Sequence, residues 1–350
     1  MHRQHGRVSE NPYSRGQPVR RRDFITLVGG AAIVWPFAAR AQQGDQRMRR
    51  IAWLDNRQAD EPTVQARTAA VREELAQLGW AVGRNLTIDY RWGVVSVEMG
   101  QQAGAELLSL SPDAIFCAGS PGVKALQQAT KTVPIVFILV VEPVYQGLVS
   151  SLAHPGANIT GFAYLERTIG AKWLTLLTEI APRVKHIAYM FSPEAAPYAH
   201  FYYEAAQAAA GKSGVQIDIN PVTDPTEFEP ILAHLGADGG VILNADAFIG
   251  NNLQQMMKLV SEHQLPSIYG GSSAETFSKL GGLIGYSPDV IAQFRATAPY
   301  LDRILRGEKP AELPVQQPTK FSYVINLKTA KTLGLNVPLS MQMTADEVIE

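Results

Sequence analysis

The chain contains 350 residues, which is long enough for two domains of ordinary size. Hydrophobic residues make up 46% and charged residues 18% of the sequence, a composition typical of globular proteins and unlike that of disordered or fibrous ones. The formal net charge is −1, so the overall charge argues against a nucleic-acid partner.

The first 41 residues follow the order of segments found in a cleavable export signal. Three arginines at 20–22 precede an apolar stretch at 24–35, and the run Ala-Arg-Ala at 39–41 has the small-x-small pattern of a cleavage site. The apolar stretch is shorter than the ~20 residues that cross a membrane. The paired arginines indicate a twin-arginine signal, so we expect cleavage after Ala41 and a periplasmic protein. The alternative is an uncleaved membrane anchor.

Loss of this leader changes the charge of the chain. It holds seven arginines and two acidic residues, so 24 of the 31 basic and 30 of the 32 acidic residues remain without it. The mature chain would then carry a net charge near −6, which argues further against nucleic-acid binding.

After residue 48, short apolar runs alternate with amphipathic segments, which predicts strands separated by helices. The predicted strands are 51–54, 86–90, 114–117 and 135–141, and the predicted helices are 62–78, 97–110 and 122–130. Strands that are apolar throughout are buried on both faces. The pattern therefore predicts a parallel sheet with helices on both sides.

The second half of the chain repeats this rhythm. The predicted strands are 186–191, 215–219, 240–243, 267–269 and 283–286, and the predicted helices are 170–180, 198–212, 226–235, 248–263 and 289–306. A strand at 313–325 and a helix at 327–333 follow. Two units of similar size predict an α/β protein with two Rossmann-like lobes, each a parallel sheet flanked by helices. A Pro-Gly turn at 155–156 and a short strand at 159–162 mark a passage between them.

The single cysteine, Cys117, excludes an intrachain disulfide, and its apolar surroundings at 114–118 predict a buried thiol. A catalytic cysteine is the alternative. The histidines show no metal-ligand spacing on one helix. Neither a nucleophile elbow nor a phosphate-binding or dinucleotide-binding glycine loop is present. We therefore predict no cofactor, no metal and no enzymatic activity.

Several segments together resemble the type I ABC-transporter substrate-binding proteins of the TrpX-like family, which includes tryptophan- and phenylalanine-binding members. The segments are Ala-Gly-Ser-Pro-Gly at 118–122, Val-Pro-Ile-Val-Phe at 133–137, Glu-Pro-Val at 142–144, Gly-Leu-Val-Ser-Ser-Leu at 147–152 and His-Pro-Gly-Ala-Asn-Ile-Thr-Gly at 154–161. The most specific part is Pro-Gly-x-Asn-x-Thr-Gly, and the resemblance extends over the whole chain after the leader.

The resemblance implies a type I periplasmic binding protein fold, with two lobes joined by three hinge strands. Lobe 1 is expected to contain 48–160 plus about 287–314, and lobe 2 to contain 161–286 plus about 315–340. Three positions depart from the usual family pattern. Glu142 replaces an aspartate, Asp-Asn-Arg at 55–57 replaces a serine-rich loop, and Ser-Pro-Glu at 192–194 replaces Asn-Pro.

Residues that directly follow strands are the candidate ligand contacts, because ligands of parallel α/β sheets bind beyond the carboxyl ends of the strands. Ser120, Pro121 and Gly122 open a helix, whose first N–H groups attract a carboxylate. A plain helix cap at Ser120 is the alternative. The candidate acids are Asp55, Glu142 and Asp246. Each would pair with a ligand ammonium group. The alternatives are that Glu142 only stabilises a helix start and that Asp55 is a solvated acid in a loop.

Four further residues complete the expected site. Phe162 and Tyr164 lie on the passage between lobes, where a ring could stack on a planar ligand or simply pack in the hinge. Ser192 and Tyr269 follow or end second-half strands, and Tyr269 precedes two glycines that allow close backbone approach.

These features predict the solute-binding component of an ABC importer. It would bind a small molecule, such as an amino acid or an aromatic acid, between closing lobes and deliver it to a permease and ATPase complex. Two alternatives share the fold: a periplasmic sensory module, and a two-lobed α/β enzyme that uses paired acids.

Overall fold

The computed structural model describes residues 47–271 and 274–350, and two β-sheets organise this part of the chain. The predicted leader at 1–41 lies outside the described residues. The first sheet has five strands in the order β2-β1-β3-β4-β5. They are β1 (Arg49–Leu54), β2 (Leu86–Arg91), β3 (Ala114–Ala118), β4 (Ile135–Val140) and β5 (Ile159–Ala163). All neighbours in this sheet pair in parallel, as the apolar runs predict.

Helices cover both faces of the first sheet. They are α1 (Pro62–Gln77), α2 (Val97–Ser109), α3 (Ser120–Ala129) and, from the end of the chain, α10 (Val290–Leu305). Alternate β1 residues face opposite sides. Trp53 packs in the cluster that contains Phe294 of α10, whereas Leu54 packs in the cluster that contains Leu107 of α2.

The second sheet has seven strands in the order β12-β11-β10-β9-β8-β6-β7. They are β6 (His186–Phe191), β7 (Gln216–Pro221), β8 (Gly239–Leu243), β9 (Ser267–Tyr269), β10 (Ile284–Pro288), β11 (Phe321–Asn326) and β12 (Glu347–Ile349). Its helices are α4 (Ile169–Ile180), α5 (Ala199–Ser213), α6 (Phe228–Ala233), α7 (Ala247–Asn251), α8 (Leu253–Glu262), α9 (Ala274–Lys279), α11 (Leu327–Thr332) and α12 (Leu339–Thr344).

One strand pair of the second sheet differs from the parallel prediction. β10 and β11 run antiparallel, with Tyr286 opposite Tyr323. After β10 the chain leaves the second sheet at the strand's carboxyl end, forms α10 against the first sheet, and returns to the second sheet from the same end. β11 must therefore run in the opposite direction.

The returning segment, 313–320, lies beside the first sheet. The Val315 N–H donates to the Leu152 carbonyl at 2.7 Å, and the Gln316 N–H donates to the Gly161 carbonyl at 2.9 Å. The strand predicted at 313–325 is accordingly only 321–326. Pro314 and Pro318 lack the N–H groups that a regular ladder needs.

Two predicted helices differ in detail from the structure. The helix predicted at 248–263 is two helices, α7 and α8, separated at Asn252. The helix predicted at 226–235 begins as a 3₁₀ turn, Pro225–Glu227, closed by a capping box between Asp224 and Glu227. The short elements α9, α12 and β12 were not expected from the sequence, because the two helices have only six residues each and the strand has three.

Candidate functional site

The candidate residues lie at the carboxyl ends of strands in both sheets. They are Asp55 after β1, Ser120, Pro121 and Gly122 after β3, Glu142 after β4, Phe162 within β5, Tyr164 after β5, Ser192 after β6, Asp246 after β8 and Tyr269 at the end of β9. The strands of each sheet position these side chains, because parallel strands end at one common edge.

Loops of the two sheets contact each other near these residues. The ring of Tyr145, from the loop after β4, packs edge-on against Phe201 of α5, with ring centroids 5.1 Å apart. Burial and Asp246 raise the pKa of the Tyr269 hydroxyl, and the positive charge of Arg57, from the loop after β1, opposes them. The carboxyl ends of the two sheets therefore face a common region.

Asp55 is fully buried, and its carboxylate already has several donors. The Arg67 guanidinium and the Arg57 N–H (3.0 Å) donate to Oδ1, and Trp53 Nε1 donates to Oδ2 at 3.3 Å. Burial raises the pKa of Asp55, whereas the Arg67 charge opposes this shift. Arg67 also lies 4.8 Å from the centroid of the Phe294 ring. The structure thus places Asp55 in a buried ion pair that joins β1, α1 and α10.

The start of α3 forms a small polar site. Its N-cap is Gly119, with φ 94°, and Ser120 is the first residue of the helix, so the alternative of a plain cap at Ser120 is wrong. The Ser120 hydroxyl instead accepts a hydrogen bond from Gln146 Nε2 at 3.0 Å. Asn56 lies against Gly119, and its buried Oδ1 has no hydrogen-bond partner among the described residues. The Ser120 hydroxyl and the first-turn N–H groups can donate to an anionic group, whereas Asn56 Oδ1 can only accept a hydrogen bond.

Gly122 and Pro121 complete this helix start. A Cβ atom on Gly122 would lie 2.8 Å from Cys117 Sγ, so only glycine lets the helix pack this closely against β3. Cys117 is buried, as its apolar neighbours predict, and burial raises the pKa of its thiol. Pro121 occupies the first helical turn, where its missing N–H costs nothing.

Glu142 lies at a strained turn after β4. It has φ 48°, and Leu139 three residues earlier has φ 55°, in a region that non-glycine residues rarely adopt. The strand bulges at this point, between Phe137 and Val140. Because such strain persists only where surrounding contacts enforce it, it marks this loop as a candidate functional segment.

The Glu142 carboxylate is paired with Arg167, from the segment that leads to α4. Arg167 donates from Nε at 3.1 Å and from Nη2 at 2.8 Å to Glu142 Oε2. The same guanidinium lies 3.6 Å from the centroid of the Phe201 ring. Together with Tyr145 on Phe201, these contacts join the loop after β4 to helix α5 of the second sheet.

We expect the Glu142–Arg167 pair to stabilise the fold modestly. A double-mutant cycle with Glu142→Gln and Arg167→Gln should give a coupling of roughly 0.5–1 kcal/mol in urea unfolding, because the arginine side chain is half exposed. The coupling should fall in 1 M NaCl. The same cycle on the exposed Lys258–Glu262 pair should give almost none. Equal couplings for the two pairs would contradict a specific contact between the loops.

Phe162 and Tyr164 lie in packed surroundings. Phe162 is 6% exposed, and its ring contacts Tyr300 of α10 edge-on at 4.9 Å between centroids. The backbone of Phe162 also forms an isolated parallel β-bridge with Gln316 of the returning segment. Tyr164 is 7% exposed and belongs to the core of the second sheet. The two rings therefore lie where the chain passes between the sheets.

Asp246 is the centre of a buried polar network. Its Oδ1 accepts from the Ile249 N–H at 2.8 Å, as the N-cap of α7. Its Oδ2 accepts from the Ser192 N–H and from Asn244 Nδ2, each at 3.2 Å. Tyr189 in turn donates to Asn244 Oδ1 at 2.8 Å. Burial raises the pKa of Asp246, and these hydrogen bonds oppose the shift. The network brings together Ser192 and Asp246, as the sequence led us to expect for strand ends.

Tyr269 adjoins the same network. It is 3% exposed and packs against Phe277, with ring centroids 5.5 Å apart. A Cβ atom on Gly271 would lie 2.0 Å from the Tyr269 hydroxyl oxygen, so the glycine makes room for this side chain. Asp246 is near enough to raise the pKa of the Tyr269 hydroxyl, so both residues lie at the neighbouring ends of β8 and β9.

Sequence reasoning missed three residues that matter for this site. Arg67 occupies the apolar face of α1 with Val64 and Val71, and a charge on such a stripe is a signal of a buried ion pair. Arg167 and Asn56 carry no comparable signal, because only the tertiary arrangement places them beside Glu142 and Gly119.

Within 47–271 and 274–350, no three His, Cys, Asp or Glu side chains form a group that could hold a metal ion. None of the helices in the same ranges is long and apolar enough to cross a membrane. A cavity of about 510 Å³ opens between β6, β7 and α6, away from the candidate residues. It is lined by His186, Ala188, Gln216, Asp218, Asn220, Pro230, Ile231, His234 and Leu235.

Comparison with solved structures shows the fold. An L-Trp complex of an ABC domain from Streptococcus pneumonia superposes with a TM-score of 0.75 at 21% identity, over 86% of this chain and 99% of that one. The ligand-free, open structure of a substrate-binding protein with adhesive properties from Clostridium difficile gives 0.72 at 23% identity, over 86% and 99%. The type I periplasmic binding protein fold predicted from the sequence is confirmed.

Sequence comparisons point to the same family. A curated relative described as a tyrosine-binding protein, from Clostridioides difficile strain R20291, is 23% identical over 276 residues, or 78% of this chain and 76% of the relative. The sequence model for ABC transporter substrate binding proteins matches residues 58–349, which include every strand of the two sheets except β1. This chain belongs to the family of ABC transporter substrate-binding proteins, as its resemblance to TrpX-like members predicts.

Proposed function

We propose that this protein is the solute-binding component of an ABC importer and captures an amino acid with an aromatic side chain between its two lobes. The observation that carries this proposal is the pair of polar sites on facing strand ends. One is the α3 start with the Ser120 hydroxyl and the first-turn N–H groups, which suits a carboxylate, and the other is the buried Asp246 network, which suits an ammonium group. A zwitterionic amino acid presents both groups.

The ligand class is supported by the relatives. One is described as tyrosine-binding and another is in complex with L-Trp. Aromatic side chains are numerous around the facing loops, where Trp92 stacks on Tyr90 with an interplanar angle of 8° and Tyr145 lies half exposed. Such rings offer stacking surface to an aromatic ligand.

The proposed lobes are 48–160 plus about 287–314 and 161–286 plus about 315–340. Their sheets contact through Tyr145, Phe201 and the Glu142–Arg167 pair. A ligand that touches both lobes favours the closed arrangement by its differential affinity for it. Closure would then signal occupancy to a permease and ATPase complex, and the protein would act without chemical turnover.

Isothermal titration calorimetry with the mature chain, residues 42–350, tests the ligand class. We expect L-Tyr, L-Trp or L-Phe to bind at least about a hundredfold more tightly than ~1 mM, and Gly, Asp and Lys to bind far more weakly. Indole-3-propionate, which lacks the ammonium group, should also bind poorly. If no amino acid binds more tightly than ~1 mM, about −4 kcal/mol, the proposal fails.

We also propose that the chain is exported through the twin-arginine route and cleaved after Ala41. Secretion into the periplasm of a bacterial host should depend on the arginine pair directly before Asp23. The variant Arg21→Lys/Arg22→Lys should therefore remain in the cytoplasm as the full-length precursor. N-terminal sequencing of the exported form should begin at Gln42. A precursor exported equally well without the pair would contradict the route.

A further inference from the structure

A further cavity is lined by none of the candidate site residues. It has a volume of about 480 Å³, within the usual range for small-molecule sites. Its walls are α4, strands β10 and β11, and helix α12. The lining residues are Lys172, Leu176, Glu179, Tyr286, Phe321, Tyr323, Ser340, Met341, Thr344 and Asp346. We call it the α4–α12 cavity.

The floor of this cavity is aromatic because of the strand register. Tyr286 and Tyr323 are directly opposite each other in the antiparallel pair, and Phe321 is two residues before Tyr323, on the same face. Tyr286 and Phe321 stack with an interplanar angle of 4° and centroids 5.2 Å apart. Tyr323 meets Tyr286 edge-on at 5.8 Å. Three neighbouring rings therefore present one apolar surface.

The wall formed by α4 adds charges above this floor. Lys172, Leu176 and Glu179 follow at steps of four and three residues, so they share one helix face. The Lys172 ammonium lies 5.9 Å from the centroid of the Tyr286 ring, which shows that the floor can hold a cation.

Negative charge predominates around the rings. Besides burial, which is the larger cause, Glu179 raises the pKa of the Tyr323 hydroxyl, and Glu166 and Asp346 raise that of Tyr286. The lining thus holds two carboxylates, Glu179 and Asp346, against the single lysine, and Glu166 acts on the floor from outside the lining. An aromatic surface with an excess of negative charge favours an organic cation.

An unsatisfied hydroxyl gives this cavity a specific polar contact. Tyr323 is only 6% exposed, and its buried hydroxyl has no hydrogen-bond partner among the described residues. A buried hydroxyl without a partner costs free energy that a bound donor would recover. A tyrosine oxygen can accept a hydrogen bond from an ammonium group while the carboxylate of Glu179 supplies the opposite charge.

We propose that the α4–α12 cavity is a second ligand site, separate from the site between the lobes, and that it binds a primary amine attached to an aromatic ring. The ring lies on Phe321 and Tyr286, and the ammonium group donates to the Tyr323 hydroxyl and faces Glu179. A carboxylate on the ligand is disfavoured, because the surrounding acids repel it. The cavity therefore selects amines over the zwitterionic amino acids proposed for the main site.

The test uses 2-phenylethylamine, with the neutral 2-phenylethanol and the anionic phenylacetate as matched probes. Ligand-observed NMR and calorimetry on the mature chain should show saturable binding of the amine below about 1 mM, and binding of each matched probe at least roughly fivefold weaker. Glu179→Gln and Tyr323→Phe should each weaken binding of the amine roughly fivefold. Glu204→Gln, on the exposed face of α5, is the matched control and should leave the affinity for the amine unchanged.

Asp246→Asn separates this site from the main one. It should leave amine binding unchanged, because Asp246 is not part of the cavity lining. Amine binding that is lost in Asp246→Asn and kept in Glu179→Gln would place the probe in the main site and overturn the inference. No saturable binding, or equal binding of the three probes, would also overturn it. Amino-acid binding by the same preparation reports on the proposed function independently.

Discussion

The Asp55→Asn variant is expected to lose about 3–5 kcal/mol of unfolding free energy. The substitution keeps the shape of the side chain but leaves the Arg67 guanidinium, which is 3% exposed, without its counter-charge. Breaking a buried pair on one side is costly, because the remaining charge has lost both water and partner. Urea unfolding followed by circular dichroism measures the change.

Two further variants test whether the lost stability comes from leaving one buried charge without its partner. Asp55→Asn/Arg67→Met removes both charges and should recover most of the loss, since apolar replacements of a buried pair are often neutral. The control is Glu106→Gln, which breaks the exposed pair with Arg91 and should cost less than about 0.5 kcal/mol. If Asp55→Asn is no more destabilising than Glu106→Gln, the buried pair does not support the fold as argued.

Asp246→Asn is expected to weaken binding of the amino-acid ligand by about 2–5 kcal/mol, or roughly 30-fold to several thousand-fold. Asparagine remains a good N-cap for α7 and can still accept from the Ile249 N–H, but its amide nitrogen cannot accept from the Ser192 N–H and Asn244 Nδ2 as Oδ2 does. The variant therefore removes both the charge that faces the ligand ammonium and two of the hydrogen bonds that hold this side chain. Calorimetry with L-Tyr, L-Trp and L-Phe measures the loss.

Asp224→Asn is the matched control, because Asp224 also caps a helical turn but is exposed. It should leave the affinity unchanged. Wild-type affinity in Asp246→Asn would show that another group holds the ammonium, while the importer proposal itself would stand on the wild-type titration.

The pH dependence of binding gives a related prediction. Burial raises the pKa of Asp246 in the free protein, and an ammonium ligand binds only the ionised carboxylate. Affinity should therefore be full above this pKa and fall as the pH decreases through it, with proton release on binding in that range. The decrease should be absent in Asp246→Asn. An affinity in the wild type that does not change as the pH is lowered through the acidic range would contradict the ammonium contact.

Much of the fold follows from the local pattern of the sequence. Continuous apolar runs such as β3 and β6 are buried along almost their whole length, and the predicted bounds of β6 and β9 agree with the structure. Such runs are readable because a strand covered on both faces needs apolar side chains at every position. The family also followed from short local motifs, chiefly the Pro-Gly-x-Asn-x-Thr-Gly run.

The tertiary structure alone decided which polar groups remain available to a ligand. Asp55 and Asp246 look alike in sequence, as acids after apolar strands, yet Asp55 meets a buried arginine while Asp246 meets only N–H donors. The antiparallel β10–β11 pair and its aromatic floor likewise depend on residues 37 positions apart. Charge pairing and strand direction are set by segments distant in the chain, so local periodicity carries no information about them.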